Sequence, residues 1–284
     1  MSTMSNESRT YLSSLPFLVD TLNSVQKIRQ ATGNRVAHLE LQGKSDPVVL
    51  TRHKELQDLE DRLVSDIVPV IKSHPTWKWA SQVKGVGPEN LAKVVGLIER
   101  VEEDEAHGVE LFSTPSKVVR YCGFAVIDGK AEKRQHGEKT HYNSELRSML
   151  WRLGGSLLKT KGKFYEVYLH HKEYLEHRAE ANGVKIMPTP QGKFCPQCCK
   201  EVKVKTARFC PDCASKLALK TEPEGILFQG HLHNQALRYM IRLFIIMLYT
   251  AWREELGLPV REPYPVEKLG HSKVFKPEDF VDKS

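Results

Sequence analysis

The sequence predicts a mainly α protein: a helical N-terminal arm, then an α-rich domain interrupted by one small β insert. Three observations carry that reading. Between residues 47 and 73, Leu56, Leu59, Leu63, Ile67, Val70 and Ile71 recur at three- and four-residue spacing, which lines one face of a helix. Residues 231–256 read HLHNQALRYMIRLFIIMLYTAWREEL, a helix apolar nearly all round in its middle and therefore a central core helix. Residues 194–213 read FCPQCCKEVKVKTARFCPDC, two Cys-Pro-x-Cys pairs around a short alternating, β-prone stretch.

The bulk composition sets the class. The chain has 284 residues, 40% hydrophobic and 27% charged, long enough for one large or two small domains with a real core. Its net charge is +7 and its pI about 9.0, a balance that favours a polyanionic partner. No N-terminal stretch has the basic, apolar, small-residue order of a secretory leader. The longest apolar run, Leu243–Tyr249, is far short of the about 20 residues that span a bilayer. The expectation is a cytoplasmic protein without a membrane partner.

The arm comes first, at residues 1–78. Helices are expected over 8–31 and 47–73, the second capped by Ser45 or Asp46 with Pro47 in its first turn. The pair forms either a helical hairpin packed on the next domain or a coiled-coil dimer arm.

The next domain spans 79–187. Residues 82–100, QVKGVGPENLAKVVGLIER, have the spacing of a helix-hairpin-helix. Gly85 and Gly87 make a tight turn at a helix N-terminus, where exposed N–H groups can hold a phosphate, with Lys84 and Lys93 adding charge. The alternative is a purely structural turn. A short helix follows within 111–124, started by Thr114 and Pro115, then a polar hairpin turning at Asp128-Gly129. Asn143 caps a helix from Ser144 to Lys159, and another runs from Lys163 to Arg178. Residues 117–172 hold twelve Lys or Arg against five Asp or Glu, so this segment alone matches the +7 of the whole chain. Tyr121, His136, His141, Tyr142 and Trp151 are interleaved with the charge, a footprint of nucleic-acid binding. The candidate contacts are Lys84, Gly85, Gly87, Lys93, Lys130, Lys133, Arg134, Lys139, Arg147 and Arg152.

The insert spans 188–222. In a reducing compartment the double pair reads as a metal site rather than two disulfides. Cys195, Cys198, Cys210 and Cys213 would fold into two facing knuckles and complete a tetrahedral set of four thiolates, which suits structural Zn2+ and leaves no open position for catalysis. The insert is therefore expected to be a zinc ribbon. Phe194 and Phe209 each precede a knuckle and can shield it. Cys199 is a spectator thiol. Lys193, Lys200, Lys203, Lys205 and Arg208 make the ribbon either a nucleic-acid contact or a solvated basic surface. The closing core helix spans 223–260 and is ended by Gly257 and Pro259. His231 and His233 either bind metal, or cap a helix or pack in a polar pocket. Residues 261–284 form a Pro- and charge-rich surface tail.

In order along the chain, KGVGPENLAKVVGLI, LFSTPSKVVRYCGF, the basic hairpin, NSELRSMLWRLGGSLLK and FYEVYLHHKEY resemble the C-terminal domain of the bridge-RNA-guided insertion-sequence transposases. GHLHNQALRYMIRLFIIMLYTAWREELGLP is similar to the last helix of that class, some members of which carry a zinc ribbon before it. The resemblance implies a DNA-binding transposase or recombinase that acts on double-stranded DNA with a structured guide RNA, as a homo-oligomer, in DNA transposition. In that family a RuvC-like N-terminal domain binds magnesium through four acidic residues, and a nucleophilic serine follows the segment matching YCGF. Here Asp20, Asp46, Asp58, Asp61 and Asp66 lie in helical patterns, and the serine position reads Asp128-Gly129-Lys130. Ser144 and Ser156 are the remaining candidate nucleophiles, and Mg2+ is expected only with a catalytic partner domain. The other reading is a non-catalytic, zinc-containing, nucleic-acid-binding regulatory protein derived from a transposase. A third is a zinc-stabilised protein–protein adaptor whose charge serves solubility.

Overall fold

The computed structural model describes residues 14–100, 102–103, 106–127, 129–132, 137, 139–204, 206–217, 222–261 and 275–282, and among these residues the chain forms eight α-helices and a handful of two- and three-residue strands. The chain falls into two compact units: residues 1–163 with 241–284, and residues 164–240. These boundaries differ from those expected above, because the arm joins the first unit and the ribbon joins the helices on either side of it.

In the first unit, α1 (Ser14–Leu41) and α2 (Pro47–Ser73) form a hairpin. The start expected at residues 8–13 lies outside the described residues, and α1 runs on to Leu41 rather than stopping near residue 31. Gly33 does not break it. A Cβ there would sit 3.1 Å from the His53 ring, so glycine lets the two helices approach closely. Gln26 bonds Glu60 while Gly33 faces His53, a falling register that makes the pair antiparallel. Asp46 caps α2 through Oδ1, which accepts from the amides of Val48 (2.9 Å) and Val49 (3.3 Å).

The base of the hairpin is apolar and buried through Leu15, Val19, Leu22, Leu63, Ile67, Val70 and Ile71. It packs on α4 (Pro88–Glu99), which follows a single turn, α3 (Trp77–Ala80). Gly96 is the contact point: a Cβ there would lie 2.9 Å from Val19 Cγ2. A polar network runs alongside. Lys93 Nζ donates to Glu89 (2.5 Å) and Gln26 (2.9 Å), and Gln26 and Arg29 donate to Glu60. Burial raises the Glu60 carboxyl, but the hydrogen bonds from Arg29 and Gln26 and the Arg29 charge outweigh it and hold the group below its ordinary value.

A 3-10 turn at Gly108–Leu111, preceded by the two-residue strands β1 (Glu102–Glu103) and β2 (Ala106–His107), leads to α5 (Pro115–Tyr121). Thr114 precedes α5 with extended backbone but makes no side-chain cap bond. The expected hairpin is present as β3 (Val126–Ile127) and β4 (Lys130–Ala131), with Gly129 at φ +73 in its turn; Asp128 lies outside the described residues. Asn143 then caps α6 (Ser144–Thr160) by accepting from the amides of Glu145 (3.1 Å) and Leu146 (3.0 Å), and α6 packs on α4.

The second unit holds α7 (Lys163–Ala181) from Phe164 onward, the ribbon, and the first half of α8 (Gln229–Glu255). Strand β5 (Lys185–Met187) pairs in parallel with β8 (Ile226–Phe228), so the chain leaves and re-enters at neighbouring strands and the ribbon is a loop between them. His171 stacks on Tyr239 at 3.8 Å, and the Tyr168 hydroxyl lies 2.7 Å from His233 Nδ1, which ties α7 to α8. From Ile241 on, α8 belongs to the first unit. There Tyr249 donates to the Phe112 carbonyl (2.8 Å), and the buried Arg253 donates to the carbonyls of Val109 (3.0 Å), Phe112 (3.2 Å) and Pro259 (2.9 Å). The helix ends at Gly257, φ +67, with the Leu258 amide bonded back to Arg253 O at 2.8 Å.

The α1–α4 junction sets two stability expectations. Gly96→Leu should lower unfolding stability by roughly 2 kcal/mol in denaturant titrations, because Val19 and the α1 backbone leave no room. Glu60 is held down in the folded state, so its contribution is present above its unfolded pKa and lost as pH falls through the lower folded value. The stability of Glu60→Gln should therefore fall less than that of wild type when melts are compared from about pH 6 into the acid range.

Candidate metal centre and nucleic-acid surface

Strand β6 (Lys193–Cys195) pairs antiparallel with β7 (Lys200–Val202), and the first Cys-Pro-x-Cys is the turn between them. The second pair lies in a matching hairpin, closed by the Phe209–Lys216 bridge and by Leu217 N to Arg208 O at 3.0 Å. The two turns are built alike. Cys199 takes φ 52 with its amide on Cys195 O (3.0 Å), and Ala214 takes φ 59 with its amide on Cys210 O (2.9 Å). FCPQCCKEV (194–202) and FCPDCASKL (209–217) are thus two copies of one knuckle, fifteen residues apart. Val202 and Leu217 occupy the same place in each copy and pack on Cys195 and Cys210. Lys200 of one knuckle pairs with Asp212 of the other at 3.2 Å.

The four thiols converge. The Sγ atoms of Cys195, Cys198, Cys210 and Cys213 all lie within 4.8 Å of one another. A tetrahedral ion with metal–sulfur bonds of about 2.3 Å places its sulfurs about 3.8 Å apart, so the donors fit a metal with small shifts. Among the described residues this is the one group of three or more His, Cys, Asp or Glu placed to share an ion. The Ser215 hydroxyl, 3.2 Å from Cys213, helps bring that thiol down to about 6, while the bond to Cys213 and burial push Cys198 up to about 12. Binding a cation would release the protons that the thiols still carry. Cys199 is exposed and outside the set. His231 bonds Glu222 and His233 bonds Tyr168, so those two rings serve different partners. Only one flanking aromatic is covered: Phe194 is buried edge-on against Phe228, whereas its counterpart Phe209 is 61% exposed.

The glycine turn is the second candidate. Gly85 has φ +94, and a Cβ on it would lie 2.6 Å from Thr160 Oγ1 and 3.1 Å from the Leu157 backbone at the end of α6. Gly87 precedes α4 with extended backbone and open space around it, so no steric need for glycine exists there. The Lys84 amide donates to Asp282 Oδ2 at 2.7 Å, and the Lys163 amide, at the start of α7, donates to Asp282 Oδ1 at 2.8 Å. Two amides from segments far apart in sequence therefore hold one anion. Gly162 permits this; a Cβ would meet both Asp282 oxygens at 2.7 Å. Lys84, Lys159, Lys161 and Lys163 around this point are all exposed.

The expected contacts divide. Lys84, Lys139 and Arg152 are exposed, with Arg152 Nη1 3.6 Å from Met149 Sδ. Lys93 is not a surface cation: it is 3% exposed, and its ammonium is spent on Glu89 and Gln26 because its position falls on the inner face of α4. Arg147 is half-buried, donating to the Glu132 carbonyl (3.1 Å) and lying over the Tyr142 ring at 4.8 Å, which makes it a brace for the hairpin. The side chain of Lys130, and Lys133 and Arg134 altogether, lie outside the described residues, as does Lys205 in the ribbon. The sequence reading missed Lys159, Lys161, Lys163 and Asp282. The lysines sit in KTKGK, a visible basic stop to α6; nothing local in the tail marked Asp282. Residues 275–282 dock: Trp79 Nε1 donates to Pro277 O at 2.8 Å and Phe280 is buried.

No family model, curated protein or solved structure matches this chain. Among the described residues no helix is long and apolar enough to cross a membrane.

Purified protein should carry one divalent metal ion per chain by elemental analysis. Cys195→Ser or Cys210→Ser should abolish it. Chelation should unfold residues 193–217, seen as faster hydrogen exchange there, while the helical circular dichroism signal of the first unit persists. Full metal retention by both variants would exclude the tetra-thiolate site.

Proposed function

We propose that this chain is a zinc-containing DNA-binding protein of the transposase kind, which grips the sugar–phosphate backbone through a helix-hairpin-helix turn and the basic face beside it. The observation that carries the reading is the pair of amides at Lys84 and Lys163 already holding an anion, in segments that also carry the exposed Lys159 and Lys161. Backbone amides at a helix start recognise a phosphodiester without regard to sequence. Lys139 and Arg152 extend the positive surface along the following segment. The four thiolates hold a structural zinc ion, the borderline-soft cation that an all-sulfur tetrahedral set prefers. The ion's work is to fix the ribbon.

In this reading the chain takes part in DNA transposition on double-stranded DNA, with a structured guide RNA as a further partner. It acts as a homo-oligomer, the second copy meeting the tip of the arm, where Leu41, Val48 and Leu50 are exposed. Strand chemistry and its magnesium come from a separate catalytic domain or partner. A specific observation favours the regulatory alternative for the lone chain. Among the described residues no hydrogen bond joins the hydroxyl of Ser144 or Ser156 to a base, and no carboxylate cluster is placed to share magnesium. A non-catalytic derivative would keep the same DNA contacts.

Duplex DNA, a branched junction and a structured RNA should be titrated at several salt concentrations. Tight binding to duplex or junction should weaken steeply with salt, and Lys84→Ala, Lys139→Ala and Arg152→Ala should each reduce the log–log slope by about 0.9, one phosphate apiece. Weak binding to all three without salt dependence would reject the proposal in favour of a protein–protein adaptor. Magnesium-dependent cleavage by the isolated chain would reject the regulatory alternative.

A further inference from the structure

The anion in the amide cradle belongs to the protein itself, and that gives residues 275–282 a role beyond packing. Asp282 lies 198 residues beyond Lys84 and 119 beyond Lys163, yet each of its carboxylate oxygens accepts one of their amides. A phosphodiester offers the same feature, two non-bridging anionic oxygens a short distance apart. The surroundings suit a multiply charged ligand better than a single aspartate, because Lys84, Lys159, Lys161 and Lys163 all face solvent nearby. Beyond the carboxylate, the segment's contacts include the buried Pro277 and Phe280, the Trp79 bond to Pro277 O, and Asp282 N on Gln82 O at 3.0 Å. Thirteen residues separate Arg261 from Phe275 in the sequence, a contour of about 45 Å when extended.

We propose that Asp282 is an internal phosphate mimic, and that residues 275–282 are an autoinhibitory latch over the phosphate site, displaced when a DNA phosphodiester takes the amides of Lys84 and Lys163. The inference rests on the DNA-binding reading above and adds to it the Lys163 amide and a competitor. Latch and DNA share one site, so apparent affinity is reduced by the fraction of molecules in which the latch is open. No group needs to change protonation, and no distant conformational change is needed.

The test uses the full, metal-loaded chain and a short duplex DNA as probe. Asp282→Asn weakens the carboxylate's hold on two donors. Phe280→Ala loosens the segment without changing charge, which separates latch release from a general electrostatic gain. Both variants should bind duplex more tightly than wild type, about ten-fold if the latch is closed nine-tenths of the time. In wild type, saturating duplex should accelerate hydrogen exchange at residues 280–282. If folded variants bind duplex no tighter than wild type, or if the tail exchanges at the same rate with and without DNA, the segment is a structural staple and the latch is overturned. If wild type and variants alike fail to bind duplex, the DNA-binding reading falls and takes the latch with it, an outcome distinct from unchanged binding. Should either variant fail to fold, the exchange measurement on wild type decides alone.

Discussion

The first unit depends on the burial of one helix on nearly every side. From Ile241 to Trp252 the chain of α8 presents Phe244, Ile245, Met247, Leu248, Tyr249 and Trp252 to a closed interior. Only a narrow stripe through Arg242, Ile246 and Thr250 is partly exposed, and Arg253, which falls on the buried side, must find partners inside. It finds carbonyl oxygens of Val109, Phe112 and Pro259. Val109 O also accepts from the Phe112 amide and Phe112 O from the Tyr249 hydroxyl, so the buried guanidinium is satisfied by carbonyls that it shares with other donors. The Val109 and Phe112 segment is positioned by this contact, and α5 and the hairpin follow from it.

Close approach is the second constraint, and it shapes the site. Gly33, Gly85, Gly96 and Gly162 stand where backbone or side chain of another element comes within van der Waals contact of the missing Cβ. At Gly85 and Gly162 that closeness brings the turn before α4 against the junction of α6 and α7, and it is why amides from both can reach one carboxylate. The positive charge of the region is a separate matter of composition. Geometry makes the cradle, and lysines make it attractive to polyanions.

Much of this was legible in the chain. The Asp46 and Asn143 caps, the periodicity of α2, the all-apolar middle of α8 and the Cys-Pro-x-Cys pairs each announce a local structure whose cause lies within a few residues. The extension of α1 past residue 31 was hidden because Gly33 usually argues against helix, and only contact with His53 explains it. Lys93 looks like a surface cation in sequence; the phase of α4 turns it inward, where Glu89 and Gln26 neutralise it. The doubled knuckle is plain at fifteen-residue spacing, once Val202 and Leu217 are aligned with the cysteines. The docking of Asp282 could not be read locally, since its partners lie 198 and 119 residues away and nothing around it is periodic. Family resemblance fares differently from these local signals: it rests on the order of motifs, and no matching protein supports it.

The doubled knuckle has a consequence for how the ribbon is assembled. Each nine-residue copy brings two sulfurs together through a turn closed by its own backbone bond, Cys199 N to Cys195 O and Ala214 N to Cys210 O. An incoming ion therefore has two nearly equivalent landing places, and a half-coordinated species can form on either. Completion then requires closing only the eleven residues between Cys198 and Cys210, an inexpensive loop. If an ion is taken up, the order of its capture by the two turns would be degenerate, while all four sulfurs would be needed to retain it.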